Sequence, residues 1–327
     1  MKIGILGTGR MAAVMAGAIA KMQNEETVAV ASRSVEKAQA FAKRLSIPKA
    51  YGSYEEMLRD PEVDLVYIAS PHSHHEAHGL LCVEAGKPML VEKSFTANAR
   101  QAEHLIRAAE EKNVFLAEAI WTRYMPMVDI IRKVLASGKI GKVCAANANL
   151  GYYTMDNPRV VEPELAGGAL LDVGIYALTF FAILFGSEVT KVAADAKLSE
   201  KGIDLEDQAV AEFCSPLYGN VKCSFYASVT GPTDRRGIVY GSDGYLEIGN
   251  VNNYAYVEVY DASHKLLERI DCPPQPETGY VYQFEACRRA LSEGKTEPEE
   301  MPHAEILKMM KIMDRLRAGM GVRYPFE

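Results

Sequence analysis

The sequence predicts an α/β domain with a parallel sheet, followed by an α+β domain with an open, mostly antiparallel sheet. In the first third of the chain, short apolar strands alternate with amphipathic helices, which is typical of a parallel sheet covered on both faces. Further along, short alternating strands are separated by Gly, Asn and Asp turns, which favours antiparallel pairing. A chain of 327 residues is also too long for one ordinary core. We predict domains 1–120 and 121–327, with the boundary near Ile120.

The first domain is predicted from five apolar runs and the helical patterns between them. The predicted strands are Lys2–Leu6, Val28–Ala31, Leu65–Ala69, Met89–Glu92 and Val114–Glu118, with a short extended segment near Tyr51. The predicted helices are Met11–Lys21, Val35–Leu45, Tyr54–Arg59, one that ends at Glu84, and Ala99–Lys112.

The second domain is predicted to contain six strands and four helices. The predicted strands are Val143–Leu150, Val189–Lys197, Gln208–Cys214, Val221–Val229, Gly237–Tyr240 and Ala255–Tyr260. The predicted helices are Pro126–Ser137, an apolar one from Gly167–Gly168 to Phe185, and two terminal ones, Tyr280–Ser292 and Ala304–Ala318.

Charge and composition exclude several classes of partner. The net charge of −7 disfavours nucleic acids and anionic membranes, which require clustered Lys and Arg. We expect no transmembrane span, since no uninterrupted apolar run reaches about 18 residues, and we find no signal-peptide pattern. The six cysteines are scattered without a C-x-x-C motif, which favours reduced thiols and a cytoplasmic location.

A glycine-rich turn between the first strand and the first helix predicts a dinucleotide site. Gly7–Ala12 has the pattern G-x-G-x-x-A, in which the glycines permit a tight turn and close approach of a pyrophosphate. The helix N-terminus would offer its unpaired N–H groups to the phosphates, which makes this a Rossmann domain. The alternative is a glycine turn that binds nothing. The predicted cofactor-binding residues of the turn are Gly7, Thr8, Gly9, Arg10 and Met11.

The end of the second strand favours NADP over NAD. Enzymes that bind NAD usually place an acidic residue there, on the ribose 2′-hydroxyl. This chain has Ser32 and Arg33 at that point, and the first acidic residue is Glu36, already on the helix. A serine hydroxyl and a guanidinium fit a 2′-phosphate better than a bare hydroxyl. The alternative is that Arg33 is solvated and NAD binds without the acidic residue.

Four segments resemble one enzyme family. They are Val91–Lys93, Ala117–Arg123, Gly167–Tyr176 and Gly321–Pro325. Together they resemble the glucose–fructose oxidoreductase / inositol dehydrogenase (Gfo/Idh/MocA) family, and within it the dihydrodiol dehydrogenase / D-xylose 1-dehydrogenase branch. The resemblance covers nearly the whole chain. It implies hydride transfer between a nicotinamide cofactor and a sugar, polyol or trans-dihydrodiol.

The resemblance also implies further cofactor contacts. It assigns these to Ser70, Pro71, His72, His75, Glu92 and Lys93, to which we add Trp121 and Arg123 as residues expected to line the cleft between the domains. A buried core tryptophan is the alternative for Trp121. His74 and His78, one helical turn apart, have a spacing that zinc sites use. We expect no metal there, because hydride transfer needs none and no cysteine is close in sequence.

Three residues are predicted to carry the chemistry. Oxidation of an alcohol requires a base for the hydroxyl proton, and the ordinary tyrosine pKa of about 10 is too high unless a cation lies nearby. We predict Tyr176 as the acid/base and Lys93 as that cation, and Asp172 would orient Lys93 or a substrate hydroxyl; the family assigns similar roles. Asp172 and Tyr176 are four residues apart on one helix and share a face. The alternatives are a core tyrosine and a helix-start aspartate.

The chain departs from the family pattern at two positions. The family usually has proline after the lysine, where this chain has Ser94, so Lys93 is held less rigidly or by other contacts. The broader family often has histidine where this chain has Tyr176, and the dihydrodiol branch has tyrosine.

The sequence therefore predicts an NADP(H)-dependent oxidoreductase that assembles as a homodimer or larger oligomer through its open sheet. The main alternative is a non-catalytic NADP-binding redox or sugar sensor on the same fold, which would not need Lys93, Asp172 and Tyr176. A reductase of a cyclic ketose or another carbonyl compound uses the same groups as a dehydrogenase, so the sequence leaves the direction of the reaction open.

Overall fold

The structure is a computed structural model that describes residues 1–274 and 278–327. It divides into two compact units. The first unit combines Met1–Trp121 with the segment that ends at Leu307. The second combines the segment that begins at Thr122 with the terminal Lys308–Glu327.

The first unit contains a six-stranded parallel sheet with the order β3-β2-β1-β4-β5-β6. Its strands are β1 (Lys2–Leu6), β2 (Glu26–Ala31), β3 (Lys49–Tyr51), β4 (Leu65–Ile68), β5 (Met89–Glu92) and β6 (Leu116–Ala119). Its helices up to this point are α1 (Arg10–Ile19), α2 (Val35–Leu45), α3 (Tyr54–Leu58), α4 (His75–Glu84) and α5 (Ala99–Glu111). The strand order confirms the predicted Rossmann fold.

Local sequence signals explain where these elements begin. The strands β4, β5 and β6 are buried at every position, as central strands of a covered parallel sheet are, and they are apolar except for Glu92 and Glu118. Ser34 caps α2 by accepting a hydrogen bond from the backbone N–H of Lys37, and Asn98 caps α5 in the same way. These caps place the ends of β2 and β5 directly beside the starts of the following helices.

The chain returns to the first unit after its second sheet. Helix α9 (Val281–Ser292) buries Phe284 and Cys287 in one core cluster with Ile3 and Tyr67. The backbone N–H of Leu116 on β6 donates a hydrogen bond to the carbonyl oxygen of Thr296 at 2.9 Å. The predicted boundary near Ile120 left α9 with the second domain, whereas its side chains complete the core of the first unit.

The second unit contains an eight-stranded sheet with the order β14-β13-β12-β11-β7-β10-β9-β8. Its strands are β7 (Val143–Gly151), β8 (Val189–Leu198), β9 (Asp204–Ser215), β10 (Gly219–Ser228), β11 (Gly237–Gly241), β12 (Gly244–Gly249), β13 (Tyr256–Asp261) and β14 (Leu266–Asp271). Strands β7 and β10 pair in parallel and the other neighbours pair antiparallel, which confirms the predicted mixed, mostly antiparallel sheet. The prediction missed β12 and β14.

The helices of this half are α6 (Met127–Ala136), α7 (Pro158–Val161), α8 (Ile175–Phe185) and α10 (His303–Met320), and a π-helical turn, Leu170–Gly174, leads into α8. The helical stretch Pro163–Phe185 is, by length and composition only, apolar enough to cross a bilayer, with a mean hydropathy of 2.0 over its most apolar 18 residues, although Glu164 and Asp172 interrupt it. The apolar part of this stretch is entirely buried inside the protein, so its composition is explained by packing in the core.

Candidate active site

The glycine turn after β1 has the geometry that a phosphate-binding turn needs. Gly7 has a φ of +113°, and a Cβ there would lie 2.9 Å from the carbonyl oxygen of Ala69, so only glycine fits. Gly9 is the N-cap of α1, and a Cβ there would meet nothing within 4 Å. There is therefore room beside Gly9, at the start of α1, for a ligand to approach the backbone closely, which suits a pyrophosphate.

A surface depression of about 510 Å³ lies at this turn. It is lined by Thr8, Gly9, Arg10, Ala13, Val14 and Arg44. The two guanidinium groups supply local positive charge to an otherwise acidic chain. Sequence analysis missed Arg44, which lies in the last turn of α2. Arg44 reaches the glycine turn because α2 lies beside α1, and that packing is the signal from which its position could have been inferred.

The two residues predicted to select the cofactor follow β2 directly. Ser32 is buried, whereas Arg33 is exposed, and the Arg33 guanidinium donates a hydrogen bond to the Tyr54 hydroxyl of α3. Burial raises the pKa of Tyr54, and the charge of Arg33 opposes that rise. Tyr54 was not singled out from the sequence, and it gives the Arg33 side chain a fixed neighbour.

The histidines after β4 tie backbone segments together. His75 is fully buried; its Nδ1 lies 3.0 Å from the carbonyl oxygen of Ser94 and its Nε2 lies 2.8 Å from that of Ser70. The Nε2 of His72 lies 3.2 Å from the carbonyl oxygen of Lys93. In the described ranges 1–274 and 278–327, no group of three or more His, Cys, Asp or Glu side chains could hold a metal ion. These two rings instead fix the segments that follow β4 and β5.

The other two histidines lie beside Arg33. The Nδ1 of His78 lies 2.9 Å from the Ser70 hydroxyl, and its ring is 4.7 Å from that of Tyr54. Burial, then the neighbouring His74, His75 and Arg33, lower the pKa of His78 to about 4. Burial and Arg33 also lower the pKa of His74. Burial and the nearby charge of Arg33 therefore both favour the neutral form of these two rings.

Lys93 lies immediately after β5, at the carboxyl edge of the parallel sheet, where ligands bind in such folds. Its backbone N–H donates to Glu92 Oε2 at 3.2 Å, and Glu92 also accepts a hydrogen bond from the Tyr67 hydroxyl. The peptide bond between Lys93 and Ser94 is cis, and Ser94 is fully buried. Contacts from Glu92 and from the two histidines thus hold the position where the family has proline.

Trp121 ends the Rossmann unit and Arg123 belongs to the second unit. The Trp121 side chain is buried, and its ring lies 4.5 Å from that of Tyr280, which also lies in the first unit. Arg123 is partly exposed and lies near the buried phenol of Tyr254, whose pKa is raised by burial.

Asp172 and Tyr176 lie one turn apart where the π-helical turn runs into α8, and both are more than nine-tenths buried. The Asp172 carboxylate accepts a hydrogen bond from Arg159 Nη2 of α7 at 2.8 Å. Sequence analysis missed Arg159, because a pair 13 residues apart has no helical spacing. The guanidinium holds one oxygen of Asp172 in place and favours its ionised form.

The first unit thus gathers the glycine turn, Ser32–Arg33, Ser70–His75 and Glu92–Lys93 at the carboxyl edge of one sheet. The second unit gathers Arg159, Asp172 and Tyr176 at the start of α8. These two sets contain a glycine turn at a helix N-terminus, several titratable groups and the partly buried Lys93.

Comparison with known proteins decides the family. A model for an oxidoreductase family with an NAD-binding Rossmann fold matches residues 1–119, and a model for the GFO/IDH/MocA C-terminal domain matches residues 128–247. Trans-1,2-dihydrobenzene-1,2-diol dehydrogenase of Mus musculus is 32% identical, over 99% of this chain and 98% of its own length. The chain belongs to the GFO/IDH/MocA oxidoreductase family. The predicted resemblance is confirmed.

Other GFO/IDH/MocA relatives extend the comparison. The same dehydrogenase from Xenopus laevis is 34% identical, over 99% of both chains. Among solved structures, a 3-ketoreductase from Actinomadura kijaniata, in complex with NADP and TDP-benzene, superimposes with a TM-score of 0.86 at 23% identity, over 98% of both chains. An aldose-aldose oxidoreductase from Caulobacter crescentus superimposes with a TM-score of 0.85 at 21% identity, over 98% of this chain and 97% of that one.

Family membership decides between the two function classes left open by the sequence. The relatives that cover the whole chain are named dehydrogenases, so the protein is an oxidoreductase that uses a nicotinamide cofactor and acts on CH–OH groups. The non-catalytic sensor is set aside.

Proposed function

We propose that the protein is a cytoplasmic, NADP(H)-dependent oxidoreductase that interconverts a hydroxyl and a carbonyl group on a sugar, a polyol or a trans-dihydrodiol. The observation that carries this proposal is full-length similarity to trans-1,2-dihydrobenzene-1,2-diol dehydrogenases. The resemblance described under Sequence analysis assigns the reactive groups of that branch to Lys93, Asp172 and Tyr176.

The choice of NADP is supported by the end of β2. The first acidic residue after β2 is Glu36, which lies on α2 and accepts a hydrogen bond from the Ser34 hydroxyl at 2.7 Å. A guanidinium held by Tyr54 offers a planar fork to a 2′-phosphate. Gly7 and Gly9, with Arg10 and Arg44 beside them, would hold the pyrophosphate. The nicotinamide, when bound, supplies the hydride acceptor or donor.

Replacement of Arg33 by alanine tests this choice. Because a charge-assisted contact to a phosphate is lost, we expect Arg33→Ala to weaken NADP⁺ binding by about 1.5–3 kcal/mol, roughly 10–100-fold in Kd, and to leave NAD⁺ binding nearly unchanged. Isothermal titration with both cofactors measures this directly. Arg107→Ala, an exposed arginine on α5, is the matched control. Equal affinities of the wild type for the two cofactors, unaffected by the substitution, would contradict the proposal.

The proposed chemistry assigns one role to each of three side chains. Tyr176 takes the proton from the substrate hydroxyl during oxidation and returns it during reduction. The ammonium of Lys93 stabilises the phenolate form of Tyr176. Asp172, fixed by Arg159, orients the substrate hydroxyl or Lys93.

A substrate screen tests the activity itself. Sugars, polyols and trans-dihydrodiols are each supplied with NADP⁺, and the absorbance of the reduced cofactor is followed. Turnover of at least one of these classes supports the proposal. Failure of all three, with cofactor binding intact in titration, refutes the substrate classes and leaves the cofactor assignment standing.

The open face of the second sheet supports a homodimer or larger assembly. On β10, buried Val221, Cys223 and Phe225 alternate with Lys222, Ser224 and Tyr226 of the opposite face. The pairing of neighbouring strands places three tyrosines in line with Lys222 on that face. They are Tyr240, Tyr245 and Tyr260, and we call them the tyrosine row. The rings of Tyr245 and Tyr260 stack at 4.8 Å. An aromatic row of this kind is typical of a protein interface.

We expect light scattering at micromolar concentration to give at least twice the mass of the single chain. Tyr240→Lys puts a charge into the tyrosine row and is expected to shift the protein toward the monomer. Arg107→Ala, on the first unit, should leave the mass unchanged. A wild-type monomer under these conditions would refute the assembly.

A further inference from the structure

Two buried carboxyl groups on β9 have no role in the proposed chemistry. Asp204 and Asp207 are both 0% exposed. Residues three apart on a regular strand point to opposite faces. Here Leu198 of β8 pairs with Asp204 while Lys197 pairs with Glu206, so Leu205 is an extra, bulged residue on β9. The bulge turns both carboxyl groups toward the interior of the second unit.

The first of these groups holds the start of the helix that carries Asp172 and Tyr176. Asp204 Oδ2 accepts a hydrogen bond from the backbone N–H of Leu170 at 2.6 Å. Its Oδ1 lies 2.2 Å from where a Cβ on Gly168 would be, so the carboxyl group packs directly on the glycine pair. The preceding Gly167 is held from the other side, because its carbonyl oxygen accepts a hydrogen bond from the Tyr324 hydroxyl at 2.8 Å.

The second group contacts the first and lacks other partners. The side chains of Asp204 and Asp207 lie within hydrogen-bonding reach of each other. Among the described residues, no donor serves either oxygen of Asp207 or the Oδ1 of Asp204. Two ionised carboxylates in contact at fully buried positions would repel each other strongly, and the single hydrogen bond from Leu170 to Asp204 leaves that repulsion in place. One proton between them removes the repulsion and supplies the missing donor.

The other charged groups around the pair agree with a single negative charge. Arg317 of α10 faces Asp204, and it also binds Glu327 at 2.7 Å and Asp314 at 3.0 Å. Tyr324 also faces both carboxyl groups, and burial raises its pKa well above the ordinary value. Burial likewise raises the pKa of Asp204 and of Asp207, and the charge of Asp204 raises that of Asp207 further.

We propose that Asp204 and Asp207 share one proton, and that this acid pair is the positioning element that anchors the first turn of the helix bearing Asp172 and Tyr176. The pair acts through the backbone at Leu170 and through its packing on Gly168. It touches neither substrate nor cofactor, so it is a device for placing the reactive groups and is independent of which substrate the enzyme uses.

The shared proton gives stability a defined dependence on pH. Unfolded aspartates lose their protons near pH 4, whereas the folded pair keeps one proton at higher pH. Above about pH 4, the folded state therefore binds one more proton than the unfolded state. In that range the equilibrium constant for unfolding rises about tenfold for each pH unit. The rise ends when the folded pair loses its proton. Stability from this pair is fully present at acidic pH and is lost as the pH increases.

The test compares urea unfolding of the full chain, as wild type and as Asp207→Asn, across neutral and alkaline pH. The amide supplies a donor and does not titrate, so the ratio of the wild-type to the variant unfolding constant should rise about tenfold per pH unit. The control is Asp60→Asn. Asp60 is buried but binds Lys49 at 2.8 Å, and its pKa is lowered to about 2. The ratio of the wild-type unfolding constant to that of Asp60→Asn should therefore not change across neutral and alkaline pH.

A second measurement uses the wild type alone, in case the variant does not fold. Infrared spectra should show the carbonyl stretch of a protonated carboxylic acid at neutral pH, and this band should disappear reversibly as the pH is raised. Its absence at neutral pH would overturn the proposal. So would a constant ratio of the unfolding constants of wild type and Asp207→Asn across the pH range.

Discussion

Replacement of Tyr176 by phenylalanine is expected to lower kcat by about 10²–10⁴-fold, the usual contribution of a general acid–base group. The ring of Tyr176 is 7% exposed, so phenylalanine keeps its packing and removes only the hydroxyl. The Kd for NADP⁺ should hardly change, because the glycine turn and Arg33 are untouched. Steady-state kinetics together with cofactor titration separate these two effects.

The partner substitution tests the role of the ammonium. In the proposed mechanism Lys93 stabilises the phenolate form of Tyr176, so Lys93→Met should also lower kcat, and the remaining oxidation should require a higher pH. The two defects should not add in the double variant, because the residues act as a unit. If the fold-loss of kcat in the double variant equalled the product of the two single losses, the two residues would act independently and the coupling would be refuted.

Tyr218→Phe, between β9 and β10, is the matched control and should turn over like the wild type. If Tyr176→Phe kept wild-type turnover on the best substrate, Tyr176 would be the wrong residue. Asp172 would then be the next candidate for the acid/base, because His75 is fully buried and both of its ring nitrogens contact backbone carbonyl oxygens.

The largest loss of stability is expected from Gly168→Ala. Gly168 has a φ of +119°, and an alanine Cβ would lie 2.2 Å from Asp204 Oδ1. Left-handed strain costs about 1–2 kcal/mol and an overpacked core about 1–3 kcal/mol, which together correspond to a fall in Tm on the order of 10 °C. Thermal unfolding followed by circular dichroism measures it.

Gly86→Ala separates strain from the clash. Gly86 has a φ of +65°, and a Cβ there would meet nothing within 4 Å, so only the backbone strain remains. We expect the smaller loss, about 1–2 kcal/mol. Equal falls in Tm for the two variants would show that Asp204 moves aside freely and that the contact is unimportant.

The sequence predicted the Rossmann half well for a physical reason. Strands buried on both faces are mostly apolar, and several of their helices begin at side-chain caps such as Ser34 and Asn98, so both signals are local. Strand β14 was missed because it is an edge strand with no fully buried residue, and it lacks an apolar face to detect. Strand β12 was missed because glycines stand at both of its ends.

Parts of the candidate site could not be predicted because they depend on the folded chain. The pairing of Arg159 with Asp172 joins a short helix to a π-helical turn, and the position of Arg44 depends on how α2 returns beside α1. Neither has a sequence spacing that marks it. The bulge at Leu205, which brings Asp204 and Asp207 together, likewise appears only when β8 and β9 pair.

The place of α9 in the core of the first unit has a consequence for synthesis on the ribosome. The nascent Rossmann sheet lacks Phe284 and Cys287 until nearly the whole chain has emerged, so its apolar surface around Ile3 and Tyr67 stays uncovered during translation. Such a fragment is prone to aggregation and is a natural client for chaperones. A fragment that stops at Trp121 should therefore be insoluble, and a circular permutant that begins at α9 should shorten the vulnerable period.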